Sequence, residues 1–312
     1  MAAGFSWRMA LRGRVAGVCA GLLVPVGVAA APPAAASPSG CPVATASTVL
    51  AASTPMLDYA ENLGYDRTGN LWVSRLYRSV VQRYDSHGRL TGTVAVASPG
   101  AIRLGPDGLL YVASGDSSLN LVPGTHSGAI VRFDPAAPAP TPAVFASGLG
   151  MPNGAAFDAA GNLYVADTAS GVVRVRPDGS VDTGWTARAA DYGVNGIVVD
   201  GDSVYATEYF SADGRIVRIP IADPSAQATV ATVTIGSTGV SALPDDLAVG
   251  PDAMLYDATT TGHLVRIDPV AHTTCTVYSG TDPLAAVAPA ADGSLTVSTA
   301  VGNVLRITLT GK

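Results

Sequence analysis

The chain has 312 residues, a formal net charge of −6 at pH 7, and 13% charged against 48% hydrophobic residues. Such an acidic, sparsely charged chain lacks the basic patch that nucleic acid or anionic lipid requires, so neither is expected as a partner. Its 35 glycines and 22 prolines favour short strands with many turns over helices.

The N-terminal segment carries Arg8, Arg12 and Arg14 and no acid; an apolar stretch over 15–31 follows, then the small residues Ala34, Ala35 and Ala36. This order is that of a secretory signal peptide, so 1–36 is expected to be removed and 37–312 to be exported as one domain. The apolar stretch contains Pro25 and falls short of the roughly 20 residues that cross a bilayer. The mature protein is therefore expected to be extracellular, free of the membrane and monomeric. Cleavage removes Cys19 and leaves Cys41 and Cys275, and two cysteines in an exported chain suggest one disulfide.

Beyond this segment one pattern, apolar-Tyr-Val-Ala, recurs down the chain. Its six copies are Leu71-Trp72-Val73-Ser74, Leu110-Tyr111-Val112-Ala113, Leu163-Tyr164-Val165-Ala166, Val204-Tyr205-Ala206-Thr207, Leu255-Tyr256-Asp257-Ala258 and Leu295-Thr296-Val297-Ser298. Each follows a Gly-, Asp- or Asn-rich hairpin turn, such as Gly105-Pro106-Asp107-Gly108. A third strand comes after each, with an arginine in register: Arg83, Arg132, Arg174, Arg218, Arg266 and Arg306. An arginine at the same place in every repeat implies a structural role, with the stem along the blade and the head in water. Strand-only repeats of about 40–50 residues are propeller blades. The expected fold is all-β, a six-bladed β-propeller. The sixth unit ends after its third strand, so its outer strand is expected from residues 44–52, which closes the ring and removes an edge. Cys275 falls in the fourth strand of the unit before it, beside this closure, where a bridge to Cys41 is geometrically reasonable.

The first strand of a blade lines the central channel, and its opening residue points toward the axis. Counting back five residues from Asp66, Gly105, Asp158, Asp200, Gly250 and Ala290 gives Glu61, Gly100, Asn153, Asn195, Asp245 and Ala285. Four of these can offer oxygen and two are small. A ring of carboxylate and amide oxygens without Cys or His suits one hard divalent cation, Ca²⁺ first, with Mg²⁺, Mn²⁺ or Zn²⁺ as alternatives. The competing account is that Asn153-Gly154 and Asn195-Gly196 are turns entering strands of a wet channel.

The pattern Glu61-Asn62-Leu63-Gly64-Tyr65-Asp66, with Pro152-Asn153-Gly154, Val194-Asn195-Gly196 and Pro244-Asp245-Asp246-Leu247, resembles the gluconolactonase, regucalcin and luciferin-regenerating-enzyme family over essentially the whole mature chain. The resemblance implies Glu61, Asn195 and Asp245 as direct metal ligands, Asn153 as holder of metal-bound water or substrate, and Asp245 as the group that helps activate the water. It implies a small-molecule substrate and the opening of lactones. Three positions depart from the family: Asn62 and Asp246 stand where Gly is common, and Met151 stands where a substrate-gripping arginine is found.

In this reading the cation polarises an ester carbonyl and lowers the pKa of bound water, and Asp245 takes the proton. No Gly-x-Ser-x-Gly elbow is present, which argues against a serine hydrolase. Loops after the second strands share the mouth of the channel, so Arg75, Asp116, Asp167, Glu208 and Tyr209 are expected at the rim, with Arg75, Asp167, Glu208 and Asn153 contacting substrate. Asp257 stands where the repeat prefers Val, and a buried unpaired carboxylate is costly. His126, in the insertion over 116–128, is a surface loop residue or a base. Two other classes stay open: a propeller that only binds a ligand or protein, and a non-hydrolytic propeller enzyme of secondary metabolism.

Overall fold

A computed structural model describes residues 40–310 of the chain; the expected signal peptide lies outside them. Six antiparallel sheets form the blades of a propeller. Their innermost strands are Ala60–Tyr65, Pro99–Leu104, Pro152–Phe157, Val194–Asp200, Pro244–Val249 and Leu284–Pro289. Each packs on the next and the sixth packs on the first, so the ring is closed.

The second strands carry the unbroken apolar runs because neighbouring blades cover both their faces. Leu71, Trp72 and Val73 are buried, as are Leu163, Tyr164 and Val165. Six apolar clusters result, one between each pair of adjacent blades. Each fully buried large side chain contributes about 1.5–3 kcal/mol relative to exposure. Among the described residues no helix is long and apolar enough to span a membrane.

The last blade closes as the repeat count requires. Val43–Leu50 pairs antiparallel with Val304–Thr310 as its outer strand, and Cys41 is bonded to Cys275 in the outer strand Thr273–Ser279 of the fifth blade. The third blade differs from the others in having three strands. After Gly171–Val175 the chain forms the short helix Thr183–Thr186, whose Trp185 is buried against Tyr164 with ring centroids 5.1 Å apart and donates its Nε1 hydrogen to the Ile221 carbonyl.

The repeated arginines have the expected structural role: the side chains of Arg132, Arg218 and Arg306 are 38%, 39% and 50% exposed, and most of the six also lie by an acid. Arg132, Arg218, Arg266 and Arg306 each lie by the acid of the first hairpin in their own blade, Asp107, Asp202, Asp252 and Asp292, and Arg174 pairs with Asp182. Arg83 instead lies over Trp72. Each arginine thus pins a blade's third strand, and none approaches the channel mouth.

Candidate functional site

Every inner strand has an irregularity at the same place. In the first blade Ala60 pairs with Arg75 and Asn62 with Ser74, so Glu61 is skipped; register also shifts around Gly100, Asn153, Asn195, Asp245 and Ala285. A bulge adds a residue without a partner and re-aims its side chain. The six positions counted from the repeat are thus six bulges, which turn their side chains out of the pleat.

The two Asn-Gly pairs belong to these bulged strands and are not turns. A Cβ on Gly154 would stand 2.5 Å from the Asn195 carbonyl oxygen, and one on Gly196 would stand 2.4 Å from that of Asp245. The backbones of adjacent inner strands approach too closely there for any other residue. Thr207 fixes the same junction, accepting from the Gly196 amide and donating to the Asp245 carbonyl.

Glu61, Asn153, Asn195 and Asp245 converge on one cavity of about 340 Å³ at this mouth. All four are buried, at 4–8% exposure. Asn153 donates its amide hydrogens to Glu61 Oε1 at 2.8 Å and to Asp116 Oδ2 at 3.0 Å. Asp116 therefore supplies a carboxylate in the sector where the ring residue is Gly100. Its loop is anchored by the Asp116 amide, which donates to the Ser98 carbonyl. Thr260 Oγ1 lies 3.3 Å from both Asp245 Oδ2 and the Tyr209 hydroxyl, and its one hydrogen serves either acceptor.

The electrostatics are those of crowded acids. Burial first, and the Glu61 charge next, push Asp116 well above the usual carboxylate range. Burial, then Glu61, Asp246, Asp116 and Asp257, do the same to Asp245. Burial and the charges of Glu61 and Asp245 push the Tyr59 hydroxyl up. Asn195 Oδ1, Asp116 Oδ1 and Thr168 Oγ1 are buried without a hydrogen-bond partner. Orphaned oxygens beside mutually repelling carboxylates are what a cation would satisfy, so the donor set fits a hard divalent ion. Among the described residues no three His, Cys, Asp or Glu side chains are grouped so as to hold a metal ion by themselves.

The three other expected substrate contacts lie elsewhere. Arg75 is 3% exposed and fully engaged: it donates to the Asp58 and Gly302 carbonyls, Gln82 and Tyr84. Asp167 accepts from the amides of Gly150, Met151 and Ala169, holding the crossover into its own blade. Glu208 pairs with Arg215, and burial, then the Asp191 carboxyl, push it up to about 7. The reason is register. Each of the three is the last residue of a second strand, opposite the first residue of the inner strand. One residue further on, Leu76, Thr168 and Tyr209 line the cavity. Tyr209 was expected at the rim; the equivalent positions in the first and third blades, Leu76 and Thr168, follow from aligning the repeats on it. His126 is exposed and does not line the cavity.

Two departures from the family pattern are partners. Asn62 donates to Asp246 Oδ2 at 3.2 Å, and Arg103 donates to Asn62 Oδ1 at 2.8 Å and to Asp246 Oδ1 at 3.4 Å. Together they make a second polar layer next to the ring.

No family model matches the sequence, and no curated protein is similar to it. Solved structures are similar in fold. A gluconolactonase from Xanthomonas campestris superposes with a TM-score of 0.66 at 16% identity, over 87% of this chain and 98% of that one. A glucose dehydrogenase gives 0.64 at 14% identity, over 84% and 98%. The PQQ-bound aldose sugar dehydrogenase from Streptomyces coelicolor gives 0.63 at 19% identity, over 88% and 100%. At these identities the likeness is one of fold, a six-bladed propeller shared with gluconolactonase structures, and the chemistry must be argued from the site.

Proposed function

We propose that the protein is a secreted, monomeric, metal-dependent hydrolase that opens a lactone ring with water. The observation that carries this reading is the convergence of four buried side chains, Glu61, Asn153, Asn195 and Asp245, from four bulged inner strands, on a single cavity at the channel mouth, with Asp116 added from a loop. A scaffold needs no such set: five buried oxygen-bearing side chains in one place cost stability unless a ligand satisfies them.

Glu61, Asn195 and Asp245 would hold the ion, Ca²⁺ first, with Asn153 beside it; the ion would supply Lewis-acid polarisation of the ester carbonyl and acidify water. Asp245 takes the proton from the attacking water and later returns it to the departing alkoxide oxygen, so the lactone becomes a hydroxy acid. Asn153 and Asp116 orient water and substrate. Thr260 and Tyr209 hold the Asp245 carboxylate in place. Burial of the whole set keeps bulk water from competing for these contacts.

The test is a lactone panel followed by pH-indicator assay with added Ca²⁺, Mg²⁺, Mn²⁺ or Zn²⁺. Ring opening that falls about 100-fold or more in Asp245→Asn, the order expected for loss of general-base catalysis, supports the reading. A folded, metal-loaded protein inert to every lactone and ester would leave the binding propeller as the better account.

A further inference from the structure

The walls of this cavity differ from side to side, and the difference speaks to what enters it. The blades 2 and 3 side is polar, with Ser98, Ser117, Ser118 and Thr168. The first blade contributes Tyr59, Leu76 and Tyr77, and the fourth, opposite it across the ring, contributes Tyr209 and Phe210. Tyr77 packs on Tyr59 with centroids 5.4 Å apart, and Tyr192 stacks on Phe210 at 5.8 Å. Tyr77 is nevertheless 60% exposed and Phe210 50% exposed. Two aromatic ledges therefore stand on opposite sides of the mouth, each with one ring that the other described residues leave half exposed or more.

Among the described residues no Arg, Lys or His lines the cavity, while Glu61, Asp116 and Asp245 do. Three carboxylates against the two charges of a divalent ion leave no net positive charge to attract an anion, and a like charge brought among them is repelled. Met151 is the side chain of its blade's leading crossover that lines the cavity among the described residues, and it offers an anionic substrate no hydrogen-bond donor.

We propose that the substrate is an uncharged lactone or cyclic ester bearing an apolar ring, with the ester toward Asn153 and Thr168 and the ring between the ledges of Tyr77 and Phe210. This rests on the hydrolase reading for the reaction but not for the binding. Sugar acids and phosphorylated lactones are excluded by the same walls.

Two measurements separate binding from turnover. The first is calorimetric titration of the metal-loaded protein with 3,4-dihydro-2-quinolinone, a lactam that fits as the ring-fused lactone does but resists hydrolysis. The second compares turnover of 3,4-dihydrocoumarin, its ring-carboxylated analogue, glucono-δ-lactone and γ-butyrolactone. The lactam is expected to bind, and Tyr77→Ala and Phe210→Ala, both at exposed positions, are expected each to weaken it about five- to tenfold with the melting temperature checked alongside. Dihydrocoumarin is expected to exceed its carboxylate and the sugar lactone by about tenfold or more in kcat/KM. Lactam binding that depends on the ledges, without turnover of any lactone, would overturn the hydrolase reading and uphold the substrate class. Turnover of γ-butyrolactone or glucono-δ-lactone as good as that of dihydrocoumarin, or a carboxylate handled equally well, would overturn the substrate class and leave the hydrolase standing.

Discussion

Asn153 reaches over the sector of Gly100 to hydrogen-bond Glu61, Nδ2 to Oε1 at 2.8 Å, and with its other hydrogen holds Asp116 at 3.0 Å. A single amide thus bridges two buried acids from two other blades. Asn153→Asp replaces that donor with another carboxylate. The variant is expected to lose about 1–3 kcal/mol in the absence of divalent ions, and to recover most of it when Ca²⁺ is added. Thermal melts with EDTA and with calcium measure both. A variant as stable as wild type in EDTA would contradict the bridging role.

Gly196 tests the packing that builds the ring. Its missing Cβ would stand 2.4 Å from both the Asp245 carbonyl oxygen and the Asp246 Cα, backbone atoms that cannot turn aside. Gly196→Ala is expected to cost about 2–3 kcal/mol and to reduce ion affinity by displacing Asp245. Urea titration reads the first effect. An unchanged midpoint would show that the inner strands are less tightly apposed than described.

Asp58 sets a pH dependence away from the carboxylate ring. Burial raises its pKa, but the amides of Ser53 and Thr54, the Ser53 hydroxyl and Arg78 outweigh this and bring it from the usual 3.8 to about 2. A carboxylate lowered on folding stabilises fully above its unfolded pKa, and that stability is lost as pH falls from about 3.8 through about 2. The contribution is about 2 kcal/mol at neutral pH. Asp58→Asn should therefore be less stable than wild type at pH 6, with the gap narrowing toward pH 2. A gap that stays constant would assign the loss to packing.

Asp257 stands inside the fifth blade with both oxygens buried and without a partner. Burial, then Asp246, push it well above the usual range. Four other repeats have Val at this place. Asp257→Val is expected to stabilise the protein by about 1–3 kcal/mol, the cost of an unsatisfied buried polar group. Destabilisation, or loss of bound ion with activity, would give the carboxylate a role at the site.

The blade count, the closing strand, the disulfide and the ring positions were all legible because each follows from the repeat period. Asp116 was legible only as a rim residue, since its approach to Glu61 depends on how a non-repeating loop folds over Gly100. Arg75, Asp167 and Glu208 were read as loop residues at the mouth, whereas each is the last residue of its strand, where the pleat makes it a buried hydrogen-bonding post outside the cavity lining. Tyr209, one step along, was legible as a rim residue, and Thr168 and Leu76 at the same step in their own blades carried no charge or motif to mark them. The substitution of a helix for the outer strand of the third blade rests on Trp185, whose burial against Tyr164 the repeat pattern does not encode.

One divalent cation is expected among the axial oxygens of Glu61, Asn153, Asn195 and Asp245. The most direct measurement is the metal content of the purified protein by mass spectrometry, paired with melts in EDTA, for wild type and Asp245→Ala. The account predicts one ion per wild-type chain, a melting temperature that falls on chelation, and neither property in the variant. A metal-free wild type whose melt is indifferent to EDTA and to the substitution would contradict it.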